Sequence, residues 1–380
     1  MMLYEYEARE ILSRYGVPVE PALLAKSPDE AEEAARRIPP PYVVKAQILA
    51  TGRGRAGGVV AVDTPEEVRR IAARLLNTKI RDLPVKAVLV AHRVEIVREL
   101  YLSIMLDRGS GLPLIIASRL GGMSVEEAAR QHPESVLRVP VDPFVGLRSY
   151  IVMRIAKHLG LSPTELGRVL RPMFRVFEEY HCLLVEVNPL AETPEGLVAV
   201  DRRIIVDESA APVSSNVREV VEKRASELEG PELEAKRWGF SYVPLDGEVG
   251  VIGNGAGLTM ATMDLVRAYG GRPACFLDIG GGASRDRVKA AIKVLLSDPR
   301  VKVILVNVLG GITRCDEVAL GIVEALREAG QVKPLVVRLA GTLEEEGRTI
   351  LSKAGIEALA SMSEAAKRAV EVSLRGGTCR

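Results

Sequence analysis

"VIGNGAGLTM" (251–260), "FLDIGGGAS" (276–284) and "VNVLGGITRCD" (306–316) set the architecture of the C-terminal part of this chain. Each is an apolar run that closes in glycines, and two lead directly into helical patterns. Around them the pattern alternates without a break. Strands are expected at 248–252, 273–278, 301–308, 334–339 and 356–360. Helices are expected at 258–269, 284–296, 314–329, 343–353 and 363–373. Strands separated by single helices build a doubly wound parallel α/β sheet. Ligands of such sheets lie beyond the carboxyl ends of the strands, where loop N–H groups and helix N-termini hold anions.

The rest of the chain reads differently. A helix at 3–14 precedes Gly16-Val17-Pro18. Helical periods at 28–37 and 65–76 bracket strands at 42–47 and 59–62. Further strands are expected at 86–91, 99–106 and 112–118, then a long helical zone over 148–180. Residues 207–240 are polar and read as a joint. At 380 residues and 47% hydrophobic, the chain is long enough for two or three domains with packed cores. Lys+Arg of 51 against Asp+Glu of 50 gives no basic surface for nucleic acid. No apolar run is long enough for a membrane helix, and no N-terminal signal pattern is present, so a cytoplasmic soluble protein is expected. Cys182, Cys275, Cys315 and Cys379 are scattered without a CxxC pair, which points to free thiols.

Two N-terminal segments carry chemistry. "QILATGRGRAGGVVAV" (47–62) is a glycine-rich loop between two strands. Gly52, Gly54, Gly57 and Gly58 allow backbone N–H groups to approach phosphates, and Arg53 and Arg55 add charge. Lys45, at the end of the preceding strand, reaches phosphate oxygens as a point charge. An ordinary hairpin with solvated arginines fits the loop as well. In "CLLVEVNPLAETPEGLVAVD" (182–201), a four-residue turn at 193–196 sets Glu192 opposite Leu197. Counting back puts Asn188 opposite Asp201 and Glu186 opposite Arg203. Opposed Cβ atoms lie roughly 4.5–5.5 Å apart, so the amide and carboxylate can share one hard cation such as Mg²⁺. A plain Glu186–Arg203 ion pair is the simpler reading of the same residues.

In the C-terminal part, Gly253 to Gly257 resembles a dinucleotide fingerprint, with Asp278 placed as a ribose-binding acid. Leu258 stands where the third glycine belongs, so that signal is weak. Asn254 at the loop tip suits a small carboxylate as well as a turn. At Gly310-Gly311-Ile312-Thr313, Thr313 is expected to cap the next helix, whose dipole favours a phosphate or carboxylate. The alternative is a tightly packed, capped helix. None of His92, His132, His158 and His181 lies beside the C-terminal glycine turns. Phosphate sites without a nucleophile imply that the nucleophile arrives on a partner subunit.

The chain resembles the β subunits of succinate–CoA ligases (succinyl-CoA synthetases) from end to end. The carrying stretches are "LYEYEAREILSRYGVP", "VVKAQILATGRGRAGGV", "ELYLS", "LLVEVNPL…VAVD", "LDGEVGVIGNGAGLTMATMD", "FLDIGGGAS", "VNVLGGITRCD" and "VVRLAGT", in this order. The resemblance implies an ATP-grasp fold over 1–230 with a mobile lobe at about 21–100, a linker at 231–245, and a flavodoxin-like CoA-ligase domain over 246–380. It implies ATP/ADP as substrate, one Mg²⁺ per subunit, succinate, and an α subunit that carries the phosphohistidine and the CoA site. By this likeness Lys45, Gly52, Arg53, Gly54, Ala91, Val94 and Glu99 fall on nucleotide positions. Asn188 and Asp201 fall on metal ligands, and Glu186 on the acid that contacts the histidine. Asn254, Gly311, Ile312 and Thr313 fall on substrate positions. Ala91 and Val94 depart from the polar residues common there, and Arg202-Arg203 replaces the common Gly-Lys. Malate–CoA and citryl–CoA ligases share these motifs, and a nicotinamide-dependent dehydrogenase is the rival from another class.

Overall fold

The computed structural model describes the chain except for residues 51, 55, 82, 227, 229, 330–332 and 376–380. Arg55 and Cys379 therefore lie outside the described residues. The chain divides into two compact units, Met1–Val221 and Glu222–Arg380.

In the second unit the strand Val249–Gly253 lies between Pro273–Asp278 and Val303–Gly310. Leu335–Gly341 and Ala358–Leu359 follow outward, all parallel. This is the flavodoxin-like order, with its reversal point between the first and third strands. Alternation sends Val249 and Val251 into a core with the helices Ala256–Ala268 and Met362–Leu374. Ile252 joins the opposite core, with Arg285–Ser297 and Cys315–Glu328. Residues 231–245, expected as a linker, are structured. They include most of the helix Gly230–Arg237, and Ser241–Pro244 pairs antiparallel with Pro273–Asp278 as an edge strand. Their polarity is that of an edge with one face open.

Among the described residues the first unit holds two large sheets and a two-stranded ribbon, Lys79–Ile80 with Leu83–Pro84. The order in one is Ala22–Ala25, Val88–His92, Tyr42–Ala46, Val59–Val62. Ser27 and Thr64 cap the helices Pro28–Arg36 and Pro65–Leu76 through their hydroxyls. These helices cover the face formed by Tyr42, Val44, Ala46, Val88 and Val90. The period of two turns Lys45 and Ala91 to the opposite face.

The other sheet runs Gly196–Ala199, Cys182–Thr193, Arg98–Leu106, Pro113–Ser118, Val136–Pro140. The expected helical zone 148–180 is two helices, Ser149–Leu159 and Pro163–Glu179. Gly160 ends the first in the left-handed region at φ 71°. The expected register holds: Glu192 pairs with Leu197, Val187 with Arg202, and Glu186 with Arg203. The return strand is split, however, into Gly196–Ala199 and Arg202–Val206. Pro189 has no N–H to give, and on its other side the pairing with Arg98–Leu106 shifts register between Val187 and Leu190.

Candidate active site

At that interruption the Asn188 N–H donates to the Asp201 carbonyl at 2.9 Å, which sets the two residues directly opposite. The Asn188 amide is fixed from outside the hairpin. Its Oδ1 accepts from the Gly122 N–H at 2.8 Å, and its Nδ2 donates to the Met123 carbonyl at 2.9 Å. Gly122, at φ 72°, packs against Glu99, whose Oε2 lies 2.1 Å from where a Cβ would stand. The Gly121-Gly122 turn thus joins Glu99 to Asn188. The double glycine was the only signal for it in the sequence. Asp201 keeps 46% of its side chain open. Asn188 and Asp201 offer one amide and one carboxylate oxygen. Among the described residues no three His, Cys, Asp or Glu gather into a metal cluster. That donor set fits Mg²⁺, which keeps waters and substrate phosphates as its remaining ligands.

Lys45 and Arg53 meet at Glu5. Lys45 Nζ donates to Glu5 Oε1 at 2.9 Å, to Glu20 Oε1 at 3.3 Å and to the Val200 carbonyl at 2.6 Å. Arg53 Nη2 lies 2.9 Å from Glu5 Oε2 and 2.8 Å from Asp201 Oδ1. Arg202 bridges Glu5 and Glu20 from the other side. Three carboxylates and three cations therefore share one pocket. Burial pushes the Glu5 carboxyl up, but Lys45, Arg53 and Arg202 overcome this and hold it well below the usual carboxylate range. Burial pulls the Lys45 ammonium down, yet Glu5 and Glu20 hold it above its ordinary value. Sequence reasoning found Lys45, Arg53 and Asp201 and missed Glu5 and Glu20. These are joined to Arg202 only by folding.

Glu186 pairs with Arg203 at 2.6 Å, as the simpler reading of the hairpin required. Its carboxyl is raised by burial, against Arg203 and the Tyr101 hydroxyl. Ala91 is buried between Ala22 and Val43 in the first sheet. Val94 lines a cleft of about 500 Å³ with Pro41, His92, Arg93, Glu95 and Glu195.

In the second unit the three glycine turns are tied together at the reversal point of the sheet. Asn254 Nδ2 donates to the Leu309 carbonyl at 2.9 Å and to Thr313 Oγ1 at 3.2 Å. Its Oδ1 accepts from the Leu309 N–H at 2.9 Å. Thr313 Oγ1 also accepts from the Gly282 N–H at 2.9 Å. Thr313 is therefore not the helix cap that its position promised. Arg314 occupies that place without a side-chain cap, and Thr313 is a buried link among the turns. Asp278 is not disposed as a ribose acid either: its Oδ1 accepts from Gly255 N–H at 2.7 Å and Gly280 N–H at 2.8 Å. Ile312, beside Gly311, is 90% exposed at the tip.

Comparison with known proteins places the chain in a family. A model of the ATP-grasp domain matches residues 2–192, and a model of the CoA-ligase domain matches residues 252–372. An ATP-grasp domain followed by a CoA-ligase domain defines the class, that of the acid–CoA ligases. The succinate–CoA ligase (ADP-forming) subunit beta of Pyrobaculum aerophilum is 49% identical over 380 residues, spanning 98% of this chain and 100% of that one. The subunit of the same name from Ignicoccus hospitalis is 48% identical over 376 residues, spanning 98% and 99%. The chain belongs to the family of beta subunits of ADP-forming succinate–CoA ligases. In fold it also resembles the ATP citrate lyase of Methanothrix soehngenii, solved with citrate and coenzyme A. The TM-score is 0.76 at 19% identity, covering 97% of this chain and 99% of that one.

Proposed function

We propose that this chain supplies the nucleotide and succinate sites of a succinate–CoA ligase, and that a second subunit brings CoA and the histidine that carries the phosphoryl group. The observation that carries the nucleotide half is the junction of Lys45, Arg53, Asn188 and Asp201 at the break in the hairpin. Lys45 and Arg53 bind the nucleotide phosphates, and Gly52 and Gly54 let the loop backbone approach them. Glu99 lies beside this group through Gly122. Ala91 and the cleft at Val94 belong to the base end of the site. Asn188 and Asp201 would hold a Mg²⁺ ion, which would supply charge neutralisation for in-line phosphoryl transfer.

The γ-phosphoryl passes from ATP to a partner imidazole nitrogen, with ADP leaving. Glu186 orients that imidazole and stabilises its charged form, a role its burial next to Tyr101 and Arg203 supports. In the second unit the Gly311-Ile312-Thr313 turn receives the phosphohistidine and the acid, with Asn254 holding the turn in shape. A succinate carboxylate oxygen takes the phosphoryl group from the imidazole. The CoA sulfur then attacks the acyl carbon, and phosphate leaves. The reverse sequence makes ATP. The relatives' names support succinate over malate and citrate, and a cytoplasmic setting fits this chemistry.

With the partner present, Asp201→Ala should abolish ATP-dependent phosphorylation of the partner histidine. Asn254→Ala should spare that phosphorylation and depress succinyl-CoA formation. Equal loss of histidine phosphorylation in both variants would refute the division of labour.

A further inference from the structure

The Lys45 ammonium has three N–H donors, and all three are used: by Glu5, Glu20 and the Val200 carbonyl. A nucleotide phosphate can bond Lys45 only by displacing one of these acceptors. The contact to Glu20 is the longest, 3.3 Å against 2.9 and 2.6 Å. Glu20 also keeps a two-pronged partner when it lets Lys45 go. Arg202 already holds both its oxygens, Nη1 to Oε2 at 2.6 Å and Nη2 to Oε1 at 2.7 Å. Such a two-pronged guanidinium–carboxylate pair is among the strong hydrogen bonds of proteins. Both side chains are almost wholly buried, so a carboxylate released there without a partner would be costly.

We propose that Glu20 competes with nucleotide phosphate for Lys45, and that Arg202 sets the outcome by keeping Glu20 neutralised once Lys45 has let it go. Glu20 and Arg202 are then positioning residues that act on nucleotide affinity through Lys45. The inference rests on the nucleotide reading given above. It also assigns a part to Arg202.

The two members of this ion pair should shift affinity in opposite directions. A pair that only holds the fold together would weaken binding from either side. Mg·ADP is titrated calorimetrically into the full chain in its native complex. Glu20→Gln removes the competing charge and should tighten binding by about tenfold, the scale of one charge-assisted hydrogen bond. Arg202→Met leaves Glu20 to Lys45 alone and should weaken binding by a similar factor. If either variant does not fold, the double variant Glu20→Gln/Arg202→Met removes the pair together and should still bind more tightly than wild type. Shifts of the same sign in the single variants, or a double variant no tighter than wild type, overturn the proposal. Wild-type protein that binds no Mg·ADP overturns the nucleotide site itself, whereas normal wild-type binding with same-sign shifts overturns only the exchange.

Discussion

Glu5 opens the helix Glu5–Arg14 and accepts from Lys45, Arg53 and Arg202, with only 1% of its side chain exposed. Removing one member of a buried ion set costs about 3–5 kcal/mol, because the remaining charges are left uncompensated. Glu5→Gln should lower stability at pH 7 by that order, measured by chemical denaturation. The pH dependence has a definite sign. The folded-state pKa of Glu5 is depressed, so its contribution is present above the unfolded value of about 4.3 and is lost as pH falls below it. The gap between wild type and Glu5→Gln should therefore narrow on acidification from pH 5 downward; a constant gap would contradict the assignment. Thr313 is the matching residue of the second unit. Thr313→Val takes the hydroxyl acceptor from the half-buried Asn254 and from the exposed Gly282, at about 1–3 kcal/mol in all, and Thr313→Ser should restore the thermal midpoint. Lys45, Arg53 and Thr313 could be singled out as candidates locally, from glycine spacing and strand ends. Their partners could not be read. Glu5 and Arg202 are 197 positions apart, and no local pattern connects them.

Among the elements, the long hairpin was the most readable. A turn at Thr193–Gly196 and the period of two are enough to place Asn188 opposite Asp201. The split of its return strand into Gly196–Ala199 and Arg202–Val206 has no mark in the period of two. The Gly121-Gly122 turn is the least readable element of the site, since its only mark is a pair of glycines. Gly122→Ala puts a Cβ into Glu99 at a positive φ that alanine avoids. The displaced turn would withdraw its N–H from Asn188. Mn²⁺ affinity in the presence of ADP, read by electron paramagnetic resonance, should fall several-fold, while overall helicity stays the same. Unchanged Mn²⁺ affinity would remove this turn from the metal site.

For the whole molecule, each unit has its own apolar interior. The first has separate cores under its two large sheets, and the second has one core on each face of its parallel sheet. A fragment beginning at Gly230, where the helix Gly230–Arg237 packs on the parallel unit, should therefore fold by itself and unfold cooperatively in far-UV circular dichroism. A broad, non-cooperative transition would mean that the unit depends on the rest of the chain. The fragment begins before the edge strand Ser241–Pro244, which reading the sequence alone would have left in a linker.

The sequence by itself determined the alternation of the second unit, the hairpin register, and the positions of the glycine turns. These rest on periods of two and 3.6 residues and on turn chemistry, which act over a few positions. Only the tertiary structure decided how the cations are neutralised and what the turns are fastened to. Glu5, Glu20 and Arg202 come from three distant segments, and they converge because a buried charge must find an opposite one. Thr313, Asn254 and Gly282 meet because three strand ends of one sheet lie side by side, and a buried hydroxyl takes whichever donors that arrangement presents.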